Sequence, residues 1–157
     1  MPILTFERPI LDDADALVEV QMRAFHHDTE QYGVEIGGPP GYDSLNMMFK
    51  DIRQGCCHKI LLDGKLIGGI IIFNRGDGHL HLDRLFIDPA YHNHGYGTEA
   101  VRYIEAECPA RVWTLDTPTF ATRNQHFYEK LGYEQVGTDH DGSVELISYQ
   151  KVMQPVK

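Results

Sequence analysis

Hydrophobic and polar positions recur along this chain with two periods, and each switch between them marks an element. Residues 2–8 alternate loosely, with Ile3, Leu4 and Phe6 apolar, and predict a first strand. Asp12, with Asp15 three residues on, predicts the cap and acidic first turn of a helix. Ala14, Leu17, Val18, Gln21, Met22 and Phe25 then follow the i, i+3, i+4, i+7 spacing. All but Gln21 are apolar, so they form one face of an amphipathic helix, which His26 and His27 are expected to end. The chain from His26 to Tyr42 is polar and rich in glycine and proline, the signature of a long loop. Ser44 predicts the cap of a short helix carrying Leu45, Met48, Phe49 and Ile52.

The centre of the chain reads differently. Residues 57–62 and 65–74 flank Asp63-Gly64, a pair that accepts the positive φ of a tight hairpin turn. The run from Leu66 to Phe73 is apolar on both faces, as a central strand requires. After the turn Arg75-Gly76-Asp77-Gly78, the strand His79–Ile87 sets His79, His81 and Asp83 on one face and Leu80, Leu82 and Arg84 on the other. A helix carrying Ala100, Val101 and Ile104 stops before Pro109, and a strand over 111–116 follows, with Trp113 in the core. Residues 121–131 predict another helix, stopped by Gly132. Tyr133–Val136 and Val144–Val152 predict closing strands joined through a turn at Asp139-His140-Asp141-Gly142. The order predicts one α/β (α+β) domain over 1–157, with helices flanking a central, twisted, mixed sheet.

Composition narrows the classes of partner. A net charge of −9 argues against a nucleic-acid backbone and suits a cationic partner such as an amine. No apolar run reaches the roughly 18 residues of a membrane span. The N-terminal residues lack a basic segment followed by an apolar core, so a secretory signal is not expected and a cytoplasmic location is. The three cysteines, Cys56, Cys57 and Cys108, have neither disulfide nor zinc spacing and read as structural thiols. His79 and His81, or His92 and His94, lack a third ligand, so no metal is expected.

Chemistry concentrates at His92-Asn93-His94-Gly95-Tyr96-Gly97, where a strand has ended and a helix begins. N–H groups there have no intrahelical partner and lie at the positive end of the helix dipole, and glycine lets an anion approach the backbone. Pyrophosphate suits such a loop, to which Thr98 adds a hydroxyl. A third glycine is missing for a dinucleotide fingerprint, since Ala100 stands there, and the Gly-Lys-Ser/Thr of a Walker loop is absent.

The stretch from Leu85 to Gly97 resembles the central motif of the GNAT superfamily of acyl-CoA-dependent N-acetyltransferases: an apolar strand end, a proline, then Q/R-x-x-G-x-G/A opening a helix. Asn124-Gln125-His126-Phe127-Tyr128-Glu129-Lys130-Leu131-Gly132-Tyr133 resembles the family's second motif. With the helical N-terminus and the hairpin, the resemblance covers roughly residues 3–152. It implies a mostly antiparallel GNAT-like sheet, acetyl-CoA as co-substrate, and a primary amine of a small molecule or peptide as acceptor. Homodimers are common in the family. One departure is His92, where the family usually has Gln or Arg.

Carried over residue by residue, the resemblance implies that the backbone of Leu85, Phe86 and Ile87 bonds the pantetheine arm. His92, Asn93, His94, Gly95, Tyr96, Gly97 and Thr98 would hold the pyrophosphate, Asn124 would bond the pantetheine arm, and Tyr128 would protonate the leaving thiolate. Arg123 or Lys130 would reach the nucleotide phosphates. The reaction is direct attack by the amine. Deprotonating a lysine-like amine of pKa about 10.4 at neutral pH costs about 4–5 kcal/mol, which calls for a base. His81 and Asp83 are the first candidates and Asp116 a third. Tyr32, Pro39, Pro40 and Tyr42 either line the acceptor pocket or order their loop. The alternative reading is an acyl-CoA-binding sensor without turnover, and a nucleotide-phosphate enzyme is a third.

Overall fold

A computed structural model describes residues 2–55 and 57–153. Its strands are β1 (Leu4–Glu7), β2 (Cys57–Leu62), β3 (Lys65–Asn74), β4 (His79–Ile87), β5 (Val112–Pro118), β6 (Glu134–Asp141) and β7 (Val144–Val152). Its helices are α1 (Ala14–Gln31), α2 (Leu45–Arg53), α3 (Tyr96–Glu107) and α4 (Thr122–Lys130). The strands form one mixed, mostly antiparallel sheet in the order β1-β2-β3-β4-β5-β7-β6. Chain contacts divide into two compact units. One holds the chain up to Ile72 together with Arg84–Val101, and the other holds Phe73–Asp83 together with the chain from Arg102 onward.

In the first unit, Leu17, Val20 and Ala24 of α1, Met48 of α2 and Ile60, Ile67, Ile70 and Ile71 of the hairpin are buried. The hairpin turns at Asp63 (φ 50°) and Gly64 (φ 82°), as its sequence predicts. Ser44 caps α2, its hydroxyl accepting the Met47 N–H at 3.1 Å. Two polar residues sit inside this core: Arg84 and Asp51 pair at 2.7 Å with both side chains 2% exposed. Arg84 also donates to Gln21 Oε1 at 3.0 Å, and Gln21 donates to the Tyr42 carbonyl. Gln21, the polar exception on the helix face, is thereby satisfied.

Two boundaries differ from the sequence reading. Asp13 stands at the N-cap position of α1, and its carboxylate accepts the Ile10 N–H at 2.8 Å; a 3₁₀ turn over Leu11–Asp13 takes up Asp12. At the other end His26 and His27 lie inside α1, because no Gly or Pro interrupts residues 26–32. The buried Thr29 hydroxyl bonds back to His26 O at 3.1 Å, and the helix stops at Gly33 (φ 65°).

In the second unit Trp113, Leu115, Tyr133 and Tyr149 are buried. β5 pairs antiparallel with β7 along all seven of its residues, and parallel with β4 through His79↔Val112, Leu80↔Trp113 and His81↔Thr114. Glu105 of α3 accepts from the Tyr133 hydroxyl at 2.9 Å and from Lys151 at 2.8 Å. Gly132 (φ 97°) ends α4 as predicted. β6 runs on to Asp141, where a short loop was expected, since Gly142 (φ 61°) needs only Ser143 beside it to return the chain. Every residue of β6 is exposed, and its ladder to β7 slips a register between Gln135 and Gly137.

Cys57 is buried and Cys108 half-buried, while Cys56 lies outside the described residues. No helix among the described residues is long and apolar enough to cross a membrane.

Candidate functional site

The glycine loop belongs to the first unit, and the end of β4 sets its entry. A side chain at residue 68 would collide with the carbonyl oxygen of Phe86, and one at residue 69 with the Phe86 ring. Gly68 and Gly69 therefore let the last residues of β4 lie directly on β3. The Asp88 N–H bonds Ile67 O at 2.7 Å, and the Asp88 carboxylate caps the following 3₁₀ turn through the Ala90 N–H at 3.1 Å. Burial works to raise the Asp88 carboxyl, but the Arg23 hydrogen bond at 2.8 Å and the Ala90 N–H outweigh it and hold it below the usual range.

The loop then reverses through Asn93 (φ 66°) and Gly95 (φ 80°). A Cβ at Gly95 would meet nothing, so this glycine is required for its backbone angle alone. The first bond of α3 runs from Glu99 N to Gly95 O, which leaves the N–H groups of Tyr96, Gly97 and Thr98 without an intrahelical acceptor. His94 and Tyr96 stack, with ring centroids 5.5 Å apart. The His92 ring turns back: its Nε2 donates to the carbonyl of Ile87 at 2.8 Å, and it packs edge-on to His27. A carbonyl can only accept, so this contact places a proton on His92 Nε2.

The second unit gathers the acid–base candidates. His81 is buried, with Nδ1 2.8 Å from Thr114 Oγ1 and Nε2 3.8 Å from Asp116 Oδ2. The same hydroxyl meets His79 Nε2 at 2.6 Å, and Asp116 Oδ1 accepts from Ser148 at 2.8 Å. Burial first, and Arg75 second, push the His81 imidazolium below its ordinary range against the pull of Asp116 and Asp83. Asp83 is half-buried on the same strand. On α4, Tyr128 is half-buried, with ring centroids 4.9 Å from Phe127 and 5.8 Å from Tyr133. Asn124 reaches Thr117 Oγ1 at 3.4 Å, while Gln125 ties α4 to the carbonyl of Thr119 at 3.0 Å. Arg123 and Lys130 are exposed.

A sequence model of the Acetyltransferase (GNAT) family matches residues 16–133. The chain belongs to the GNAT acetyltransferase family. Two relatives come from Bacillus subtilis. Protein YrkN is 40% identical over 82 residues, half of this chain and 44% of its own length. An S-(2-succino)cysteine N-acetyltransferase is 22% identical over 150 residues, 88% of this chain and 89% of its own. The fold matches the PaiA N-acetyltransferase of Thermoplasma acidophilum, solved with coenzyme A, at a TM-score of 0.76 and 18% identity, over 96% of this chain and 99% of that one.

In this GNAT chain the residues singled out by sequence fall into two groups, each within one unit. Leu85–Ile87 and His92–Thr98 stand together at the end of β4 and the start of α3. His81 and Asp116 meet in the other unit, where Asn124 and Tyr128 also lie. Tyr42 orders its loop, through its carbonyl to Gln21 and its hydroxyl to His26 Nε2 at 2.7 Å. Sequence reasoning missed Thr114, Ser148 and Asp88. Thr114 had a signal, since a parallel partner for His81 is set once β5 is placed beside β4. Among the described residues no group of three or more His, Cys, Asp or Glu could hold a metal ion.

Proposed function

We propose that this GNAT protein transfers an acetyl group from acetyl-CoA to a primary amine of a small molecule or peptide, by direct attack of the amine. The observation that carries the reading is the family match over residues 16–133, which includes the loop and both motifs. Acetyl-CoA is the donor in this reading, and the coenzyme A bound to the PaiA structure supports it. The N–H groups of Tyr96, Gly97 and Thr98, with Asn93, His94 and Gly95, hold the pyrophosphate. His92 braces the loop from behind through Ile87. Leu85, Phe86 and Asn124 bond the pantetheine arm, and Tyr128 returns a proton to the leaving thiolate. Among the base candidates His81 is favoured over Asp83, since Asp116 lies beside its Nε2 to stabilise the imidazolium formed.

The acceptor remains a class. An open groove of about 660 Å³ runs along α1 past Glu19, Arg23, His26, His27 and Glu30; with Arg23 paired to Asp88, the two glutamates are the groups there that suit a cationic amine. The name of the relative that acetylates S-(2-succino)cysteine places modified amino acids in the screen beside polyamines, aminoglycosides and N-terminal peptides.

Thiol release from acetyl-CoA across that panel is the test. Release with at least one amine is expected; acetyl-CoA binding with none, by calorimetry, would convert the reading to an acyl-CoA sensor. Tyr128→Phe is expected to lower kcat about 100-fold while leaving coenzyme A affinity within about twofold. Unchanged turnover would remove Tyr128 from the chemistry.

A further inference from the structure

His81 poses a problem for any base mechanism. It is 6% exposed, and a buried imidazole is a poor resting place for a positive charge. A base in that position works only if the proton it accepts can move on. The two ring nitrogens face different partners. Nε2 looks toward Asp116, whose side chain is 33% exposed, across 3.8 Å, too far for a hydrogen bond. Nδ1 touches the Thr114 hydroxyl at 2.8 Å, and that hydroxyl touches His79 Nε2 at 2.6 Å.

A hydroxyl has one proton. Thr114 can donate to one ring only, and it must accept from the other. Ser148 donates to Asp116 Oδ1 and so holds the carboxylate with Oδ2 toward His81. A proton between Nε2 and Oδ2 would lie in a gap of 3.8 Å with no hydrogen bond to hold it. The contacts fit two directions, and the one that leaves His81 able to accept a proton on the Asp116 side runs from His81 Nδ1–H to Thr114 and from Thr114 O–H to His79 Nε2. It leaves Nε2 bare on the Asp116 side. It also leaves His79, which is half-buried, as the outer end of the chain.

We propose that Thr114 and His79 are positioning residues that keep His81 Nε2 unprotonated and carry away the proton it takes from the amine. The idea rests on the acetyl-transfer reading. As the amine attacks the thioester, its N–H bond breaks and a bond from that proton to His81 Nε2 forms. The Nδ1 proton passes to Thr114 Oγ1, and the original Thr114 proton passes to His79 Nε2. His81 returns to the neutral form, now with its proton on Nε2, and His79 carries the charge to water. His79 gives its Nδ1 proton to solvent. The chain is reset when His81 Nε2 releases its own proton to solvent, Nδ1 regains one through Thr114 from His79 Nε2, and His79 Nδ1 is reprotonated, so that one proton leaves in all. Asp116 stabilises His81 while it is doubly protonated. Arg75 and His79 oppose charge on His81, and Asp83 and Asp116 favour it, so the chain lies between groups of both signs.

Two measurements test the chain, one of them independent of turnover. Side-chain ¹⁵N spectra of the whole protein report which histidine nitrogen carries a proton. In wild type, His81 is expected to show a protonated Nδ1 and a bare Nε2, and its shifts should respond as His79 is titrated. Thr114→Val should abolish that response, and Thr114→Ser should retain it. Identical His81 shifts in wild type and Thr114→Val throughout the titration would overturn the proposal.

In turnover with acetyl-CoA and the amine panel of spermidine, lysine and an N-terminal peptide, Thr114→Val is expected to lower kcat about tenfold or more. KM for acetyl-CoA should stay unchanged, the rate should depend more steeply on pH, and serine should restore both. His79→Gln should act in the same direction, which guards against a folding defect peculiar to residue 114. Full activity in both variants, with the wild-type pH profile, would overturn the relay. A wild-type protein that binds acetyl-CoA but acetylates none of these amines counts against the transfer reading, and the spectra then decide the hydrogen-bond chain by themselves.

Discussion

Burial of an imidazole favours its neutral form, and folding and proton binding then compete. His81 is held below its ordinary value of 6.5 by burial first and by Arg75 second. In the unfolded chain the same side chain gains a proton once the pH drops below about 6.5. Between that value and its lower folded one, the unfolded state binds more protons, so stability falls as the medium acidifies. Above that window the residue contributes no pH dependence. Urea midpoints between about pH 7.5 and pH 5 should therefore decline less steeply in His81→Gln than in wild type. An equal acid slope in the two proteins would mean that His81 gains its proton as readily folded as unfolded. Tyr149 illustrates the same physics with the opposite sign of charge: burial, then the Glu129 carboxylate that accepts its hydroxyl at 2.8 Å, push the phenol up to about 12. It stays a neutral donor across the physiological range.

Between elements, the pairing of Arg84 with Asp51 ties β4 to α2 inside the first unit. Removing one partner leaves a buried charge uncompensated, so Arg84→Met is expected to destabilise by about 3–5 kcal/mol in chemical denaturation. Arg84→Met with Asp51→Leu should recover most of that loss, because an apolar pair at these positions has no charge to solvate. The periodicity of β4 placed Arg84 opposite His81, but a sequence does not state which side of a strand lies deeper. Here both sides are covered, and the partner that makes Arg84 tolerable lies 33 residues away. Elements with strong local chemistry were legible: Asp63-Gly64, Ser44 and Gly132 each fix a boundary through their own backbone angle or hydroxyl. Less legible were boundaries set by competition between weak signals, such as the end of α1, where polar residues continue the helix as well as they would a loop. The loop of the candidate site was visible in Gly95 and Gly97. Gly68 and Gly69 were not, because their purpose is the approach of Phe86, a long-range contact.

For the molecule as a whole, charge is the property that acts at a distance. A net charge of −9 repels acetyl-CoA, itself an anion through its pyrophosphate, and attracts a protonated amine. The two proposed substrates should thus respond to salt in opposite directions. Raising NaCl from about 20 mM to about 300 mM shortens the Debye length and screens both effects. KM for acetyl-CoA is expected to fall and that for a cationic amine to rise; parallel changes would show that local contacts, and not the overall field, govern capture. A further whole-molecule consequence lies at the rim of the sheet. β6 presents an open row of backbone donors and acceptors, the template on which copies of a chain can add to one another. Its slipped ladder at Val136 and its acidic Glu134, Asp139 and Asp141 make that row uneven and self-repelling. The edge thereby resists growth into fibres at high protein concentration, and neutralising those three carboxylates is the change that would invite aggregation.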